Sequence, residues 1–276
     1  LPRVIRRIDP TTDTVTDYAG LYNADGYTDG TLADARFSEP RGLYCQDNKL
    51  YIVDRGNERV RLIDMTAGTV STYAGGGTDH DKYHDVPLAE ARLGVPGLSP
   101  AAIDRITGDG EGTVYVSNSS ANAVFRITTD RVYLHAGVPH RRGIGGMSTP
   151  YTQSGDLQPF DNNRWLNSPL GMVWLFRRLW VCDSLNHLIW GGTILLGEPA
   201  AGSADGDANT SRFASPSGMT TDGVRTYLVD RTTDRIRTMD GEGNTGTLQT
   251  GGMEFVDPVN ITTDGETLYV LDIRNT

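Results

Sequence analysis

The chain has 276 residues, 37% hydrophobic and 22% charged, a balance expected of a soluble globular protein and not of a disordered one. Its formal net charge of −10 at pH 7 argues against nucleic acid as a bulk electrostatic partner. The most apolar run, Leu170 to Trp180, is broken by Arg177 and Arg178 and falls short of the ~18–20 residues that span a bilayer; Leu1 to Arg7 does not read as a signal peptide.

In chain order, Arg3 to Asp9 and Thr14 to Gly20 match the third and fourth strands of the repeat that follows them and read as a pair of strands. A Gly-containing linker follows with Asn23, Asp25 and Asp29, and its counterpart later carries Asp205, Asp207 and Asn209. Oxygen ligands at alternate positions around Gly suit calcium, so Asp25 and Asp29 are metal candidates. The linkers lack the twelve-residue calcium loop with its terminal Glu, and Asp-Gly also serves a plain turn.

The first full repeat then runs from Arg36-Phe37-Ser38-Glu39-Pro40-Arg41-Gly42 through Leu50-Tyr51-Ile52-Val53-Asp54 and Val60-Arg61-Leu62-Ile63 to Thr69-Val70-Ser71-Thr72-Tyr73-Ala74-Gly75. Each part reads as a short strand, rich in β-branched and aromatic residues or alternating as a half-buried strand does. The long loop 76–91 contains His80 and His84, whose i, i+4 spacing would suit zinc on a helix; Gly75-Gly76-Gly77 and Pro87 predict no helix there.

Four altered copies follow. Their Asp positions are occupied by Asn118, Asp183, Asp230 and Asp272, and their Pro-turn elements are placed at Pro96, Pro169, Pro216 and Pro258. The inner strand of each repeat is expected directly after its proline. Between the second and third copies lies the long loop 138–163, with Arg141, Arg142, Tyr151, Phe160 and, just beyond it, Trp165. The last copy stops after its second strand, whereas the chain begins with a third and a fourth.

Self-similarity at this period decides the fold. Four antiparallel strands per repeat, repeated radially, make a β-propeller, here a single all-β domain over 1–276. The complementary half-repeats at the two ends give five blades if they close one blade, removing open edges. Six blades with missing terminal strands is the alternative.

The Leu-Tyr-Val-x-Asp-x-x-Asn-x-Arg-Ile-Arg core and the Gly-x-x-Asp-Gly…Ala-Arg-Phe-x-x-Pro-x-Gly linker, clearest at Asp29-Gly30 to Gly42 and Asp205-Gly206 to Gly218, resemble NHL repeats over essentially the whole chain. Asn118 in place of Asp and Trp190 in place of Arg depart from the pattern. The resemblance implies a propeller that binds proteins, or RNA in some members. A few relatives are enzymes, among them amidating lyases and, more distantly, lactonases of the gluconolactonase and regucalcin kind.

The expected function is therefore a non-catalytic scaffold that presents one loop face to a protein partner. That face would comprise the Asp-x-x-Asn turns, with Arg55, Arg231 and His187, and the two long loops, whose Arg and aromatic residues are those that dominate interface energetics. The commoner role of a repeated turn Asp is to cap its own turn. The competing reading is a lyase or lactonase-like hydrolase with a metal in the central channel, where His187 is the best single candidate for chemistry. No cofactor is expected on the first reading; calcium or zinc would serve the second. The scattered histidines and the lack of a nucleophile elbow, phosphate loop or zincin motif favour the first. Cys45 and Cys182 lie in different repeats and are expected to be free, buried thiols. Three sequons, at Asn118, Asn209 and Asn260, favour an extracellular or cell-surface glycoprotein and should be exposed if so.

Overall fold

A computed structural model describes residues 3–78, 85–94, 103–137, 166–192, 194–252 and 254–273. The described chain is all-β, with three single 3₁₀ turns. It divides into two compact units, Leu1–Ala121 with Phe125–Leu134, and Asn122–Val124 with His135–Thr276.

In the first unit, β1 (Val4–Asp9) and β2 (Thr14–Gly20) form a two-stranded antiparallel sheet. The next blade comprises β3 (Gly30–Thr31), β4 (Pro40–Gln46), β5 (Lys49–Asp54), β6 (Arg59–Asp64) and β7 (Thr69–Gly75), ordered β3-β7-β6-β5-β4. Thus four strands meander in sequence and the two-residue β3 of the linker adds outside the last. The following blade repeats the plan with β8 (Val86–Pro87), β9 (Ile103–Gly108), β10 (Val114–Asn118), β11 (Ala123–Ile127) and β12 (Arg131–Gly137), ordered β8-β12-β11-β10-β9.

The second unit holds two four-stranded blades. One is β13 (Pro169–Leu175), β14 (Arg178–Asp183), β15 (Leu188–Gly191) and β16 (Ile194–Leu196); the other is β17 (Pro216–Thr221), β18 (Thr226–Asp230), β19 (Arg235–Met239) and β20 (Thr245–Thr247). A two-stranded sheet, β21 (Pro258–Thr263) with β22 (Leu268–Asp272), ends the described chain. The expected pairing of Val4–Asp9 beside Leu268–Asp272 is not among the strand pairs of the described residues: β1 pairs with β2 and β22 with β21, each as a separate two-stranded sheet.

The second strand of each four- or five-stranded blade, β5, β10, β14 and β18, is buried on both faces, which is why its apolar run is continuous and not alternating. Ile52, Ile63, Val70 and Phe37 form one core cluster in the first unit. Trp180, Cys182, Ile189, Phe213 and Leu228 form another in the second. Each such side chain contributes roughly 1.5–3 kcal/mol when fully buried. Between the second and third strands the chain makes one 3₁₀ turn, at Arg55–Asn57, Ser184–Asn186 and Arg231–Thr233. The next residue in each case is left-handed, Glu58 at φ 54°, His187 at 61° and Asp234 at 55°.

Two expectations need correction. The inner strand β9 begins at Ile103, not directly after Pro96, which lies outside the described residues. Its place equivalent to Gly42, Gly171 and Gly218, one residue before the partner of the turn residue minus two, is taken by Arg105, so no Pro-x-Gly signature marks it. Both thiols are free, but Cys45 is exposed on the innermost strand and only Cys182 is buried.

Candidate functional site

The turn carboxylates do not cap their own turns, as the sequence suggested. Each reaches back to the linker. Asp54 accepts the Ser38 N–H at 2.7 Å, Asp183 that of Asn167 at 2.6 Å and Asp230 that of Ala214 at 2.6 Å. Asp272 accepts the N–H groups of Val256 and Asp257, both at 2.9 Å. Asp54 and Asp183 also accept from the turn side chains of Asn57 at 2.7 Å and Asn186 at 2.8 Å, whereas Asn118 accepts the turn N–H of Ala121 at 2.7 Å while its Nδ2 donates to the Leu93 carbonyl at 2.6 Å.

In two blades a buried arginine completes a lock. Arg61 Nη1 donates to Asp54 (3.1 Å) and the Arg36 carbonyl (2.7 Å), and its Nη2 to Asp29 (2.6 Å) and the Thr28 carbonyl (3.0 Å). Arg237 repeats this arrangement with Asp230 (3.2 Å), the Arg212 carbonyl (2.8 Å), Asp205 (2.8 Å) and the Ala204 carbonyl (2.8 Å). Both arginines are fully buried, and each guanidinium lies over a linker ring, Phe37 at 5.2 Å and Phe213 at 5.1 Å. One side chain thus ties linker, turn and third strand together. A buried guanidinium is tolerated because its two Nη groups are met by charged and backbone acceptors, although the Nε of each is left without a partner.

The two departures from the repeat now have a physical content. Seven residues after Asn118 stands Phe125, buried, so that blade has lost acid and base together. Trp190 pairs with Val181 in the register at which Arg61 pairs with Ile52 and Arg237 with Leu228. The arginine is gone but Asp183 remains, buried, with Asn167 N–H and Asn186 Nδ2 as its hydrogen-bond donors. Burial pushes its carboxyl up to about 7, against about 6 for Asp230, which is also buried but bonded to Arg237.

The other expected site residues are mostly committed to the fold. His187 Nδ1 accepts the Ser215 N–H at 3.1 Å, just as Asn122 Oδ1 accepts that of Ser168 at 2.9 Å in the preceding blade. Arg231 makes a two-pronged pair with Asp257, at 2.8 and 3.3 Å. Arg55 donates to Glu39 at 3.1 Å. Asp29 is taken up by Arg61 and by Thr72, and Asp25 is paired with Arg3, so cationic side chains stand where calcium was considered. Among the described residues no group of three or more His, Cys, Asp or Glu is placed to hold a metal ion. Arg141, Arg142, Tyr151, Phe160, Trp165, His80 and His84 lie outside the described residues. Of the sequons, Asn209 is exposed and Asn260 half-buried. Asn118 is fully buried with its amide engaged, which corrects the expectation that it is open to glycosylation.

Sequence reasoning missed an open cleft of about 650 Å³ lined by Gly26, Tyr27, Asp29, Arg59, Thr72 and Gly76. The Arg59 guanidinium lies 4.2 Å from the centre of the exposed Tyr27 ring, and its Nη1 donates to the Asn57 carbonyl at 2.8 Å. Asn57 in turn donates to the Gly26 carbonyl at 2.6 Å, fixing the linker wall. The available signal was a tyrosine inside a linker otherwise built for turning.

No family model matches the chain. It is 24% identical over 296 aligned positions to NHL repeat-containing protein 2 of Homo sapiens, covering 91% of this chain and 40% of that protein. The Gallus gallus protein of that name is 23% identical over 78% of this chain. The chain thus spans less than half the length of these curated relatives. Among solved structures it is similar to a nidogen/laminin complex (TM-score 0.54, 15% identity, 98% of this chain and 82% of that one). It is also similar to virginiamycin B lyase from Staphylococcus aureus (TM-score 0.51, 15% identity, 85% of this chain and 63% of that one). These likenesses carry the propeller fold.

Proposed function

Because the chain is built of NHL-type repeats folded as β-propeller blades, we propose that it is a non-catalytic binding module that presents its turn face to a protein partner. The observation that carries this reading is that the turn groups chemistry would need are spent on the fold. Asp54, Asp183, Asp230 and His187 each accept a linker N–H. What the turns leave to solvent suits docking: Leu185 is exposed in the Ser184–Asn186 turn, and Arg231 is half-exposed in the corresponding turn of the next blade. An extracellular setting fits the exposed sequon at Asn209.

The test is capture of a partner from an extract of the native source on the immobilised chain, repeated after deleting 138–163, with elemental analysis of the purified protein alongside. Saturable capture of a defined protein, lost or weakened on deletion, supports the reading. Capture indifferent to the deletion moves the contact away from that loop. A stoichiometric metal with no captured partner overturns the reading in favour of a lyase or lactonase-like enzyme.

A further inference from the structure

At the inner edges of two adjoining blades, β4 and β9 run so close that a Cβ on Gly42 would lie 3.1 Å from Arg105 Cα and 3.0 Å from the Asp104 carbonyl oxygen. Gly171 and Gly218 fill the equivalent places in two other blades, each against the backbone of the next inner strand. In β9 that place belongs to Arg105. A large cation therefore stands where three other inner strands carry glycine and β21 carries the neutral Asn260.

Arg105 makes no side-chain hydrogen bond and no ion pair among the described residues, and its Nε is sealed from solvent. Burial works against its charge; the nearby Asp104 favours it and Arg41 opposes it. Buried guanidinium groups normally have carboxylate or carbonyl partners, as Arg61 and Arg237 do here. Arg41, on β4, is in the same position: its nearest acid is Asp104 at 3.9 Å, too long for a hydrogen bond. Asp104 is already held by the Ser119 hydroxyl and lies 3.8 Å from Arg55 Nε. Arg55 is itself bonded to Glu39 at 3.1 Å. Arg41, Arg55 and Arg105 thus outnumber Glu39 and Asp104, in a chain whose overall charge is −10. The surplus falls on the two arginines with no hydrogen-bonded acceptor.

We propose that Arg41 and Arg105 form an anion site at the inner edge of β4 and β9 that takes a carboxylate from an acidic segment of the protein partner. The inference rests on the reading of the chain as a binding module. Two guanidinium groups on neighbouring strands offer forked N–H pairs to one carboxylate. In a chain of net charge −10 this edge is a local cationic exception, and charge complementarity to a carboxylate is confined to it.

The experiment is calorimetric titration of the whole chain with a hexaglutamate peptide at low and at physiological salt, with hexalysine, sodium acetate and a single-stranded oligonucleotide as comparison probes. Saturable binding of hexaglutamate is expected, weakened by salt and by at least about tenfold in both Arg41→Gln and Arg105→Gln. Asp104→Asn, which removes the competing carboxylate, should tighten it. Arg41 is about half exposed (side chain 47%), so its variant keeps the test valid if Arg105→Gln fails to fold. No binding of hexaglutamate, or binding unchanged by Arg41→Gln, overturns the site while leaving partner capture untouched. Acetate binding as tight as the peptide would overturn assignment to a macromolecular acid. Tighter binding of the oligonucleotide, lost in the same variants, would overturn the carboxylate itself.

Discussion

Asp183 is a carboxylate whose blade has lost its arginine, and this has a measurable consequence for stability. The sign follows from the shift. Its folded carboxyl titrates at about 7 and its unfolded one at the ordinary 3.8. The folded chain therefore holds a proton that the unfolded chain releases, and stability present below pH ~4 is lost as pH rises toward 7. At ~1.4 kcal/mol per pH unit the full span is about 4 kcal/mol, and relaxation around the site reduces it to roughly 2–4 kcal/mol. Asp183→Asn removes the titration and keeps the shape. The natural Asn118 shows that an amide can serve this position, donating to a linker carbonyl and accepting a turn N–H. Urea denaturation should be followed by tryptophan fluorescence, since all four tryptophans (165, 174, 180 and 190) fall in the unit that contains Asp183. The variant's advantage over wild type should grow between pH 4 and pH 7.5 and be largest at the alkaline end. A stability gap that is the same at both pH values, or a variant less stable than wild type at pH 7.5, would refute the reasoning.

Other consequences follow from the same geometry. Arg237→Met leaves Asp230 buried without its cationic partner and should cost about 3–5 kcal/mol, much of it recovered by adding Asp230→Asn; chemical denaturation of the single and double variants checks this. Gly171→Ala places a Cβ 2.2 Å from the Ser217 carbonyl oxygen and should lower stability by about 1–3 kcal/mol, read as a drop in Tm. Cys45 should react with a thiol reagent in the native protein at once, while the buried Cys182, whose thiol burial pushes up, should react only on unfolding. Expressed through a eukaryotic secretory route, the chain should carry glycan at Asn209 and none at Asn118, as glycosidase-paired mass spectrometry would show.

The blades were legible because each repeat restates the same four strands. β2, β7 and β12 fall on the segments their patterns indicate. The lock was not legible from any one repeat. Alternation alone makes Arg61 and Arg237 look like the solvent side of a half-buried strand, yet both are wholly buried. The signal lay in spacing: Asp29 and Asp54 stand 32 and 7 residues before Arg61, and Asp205 and Asp230 stand at the same distances before Arg237. The second blade was misplaced for a related reason. Pro96-Gly97 imitates the turn before an inner strand, while the real strand carries Arg105 where glycine is expected. His187 looked like chemistry because a histidine in a turn has no local partner. Its partner, the Ser215 N–H, comes from 28 residues further along the chain.

The account holds that turn side chains fasten the linkers and so leave the turn face free for docking. Amide hydrogen exchange of Ser38, Asn167, Ala214 and Ser215 in the native protein tests this most directly. Each N–H is bonded only to a turn side chain, Asp54, Asp183, Asp230 or His187. The account predicts protection close to that of β17–β19, lost at Ala214 in Asp230→Ala, which removes the acceptor; exchange of all four amides at the rate of an open loop in the wild-type chain would contradict it.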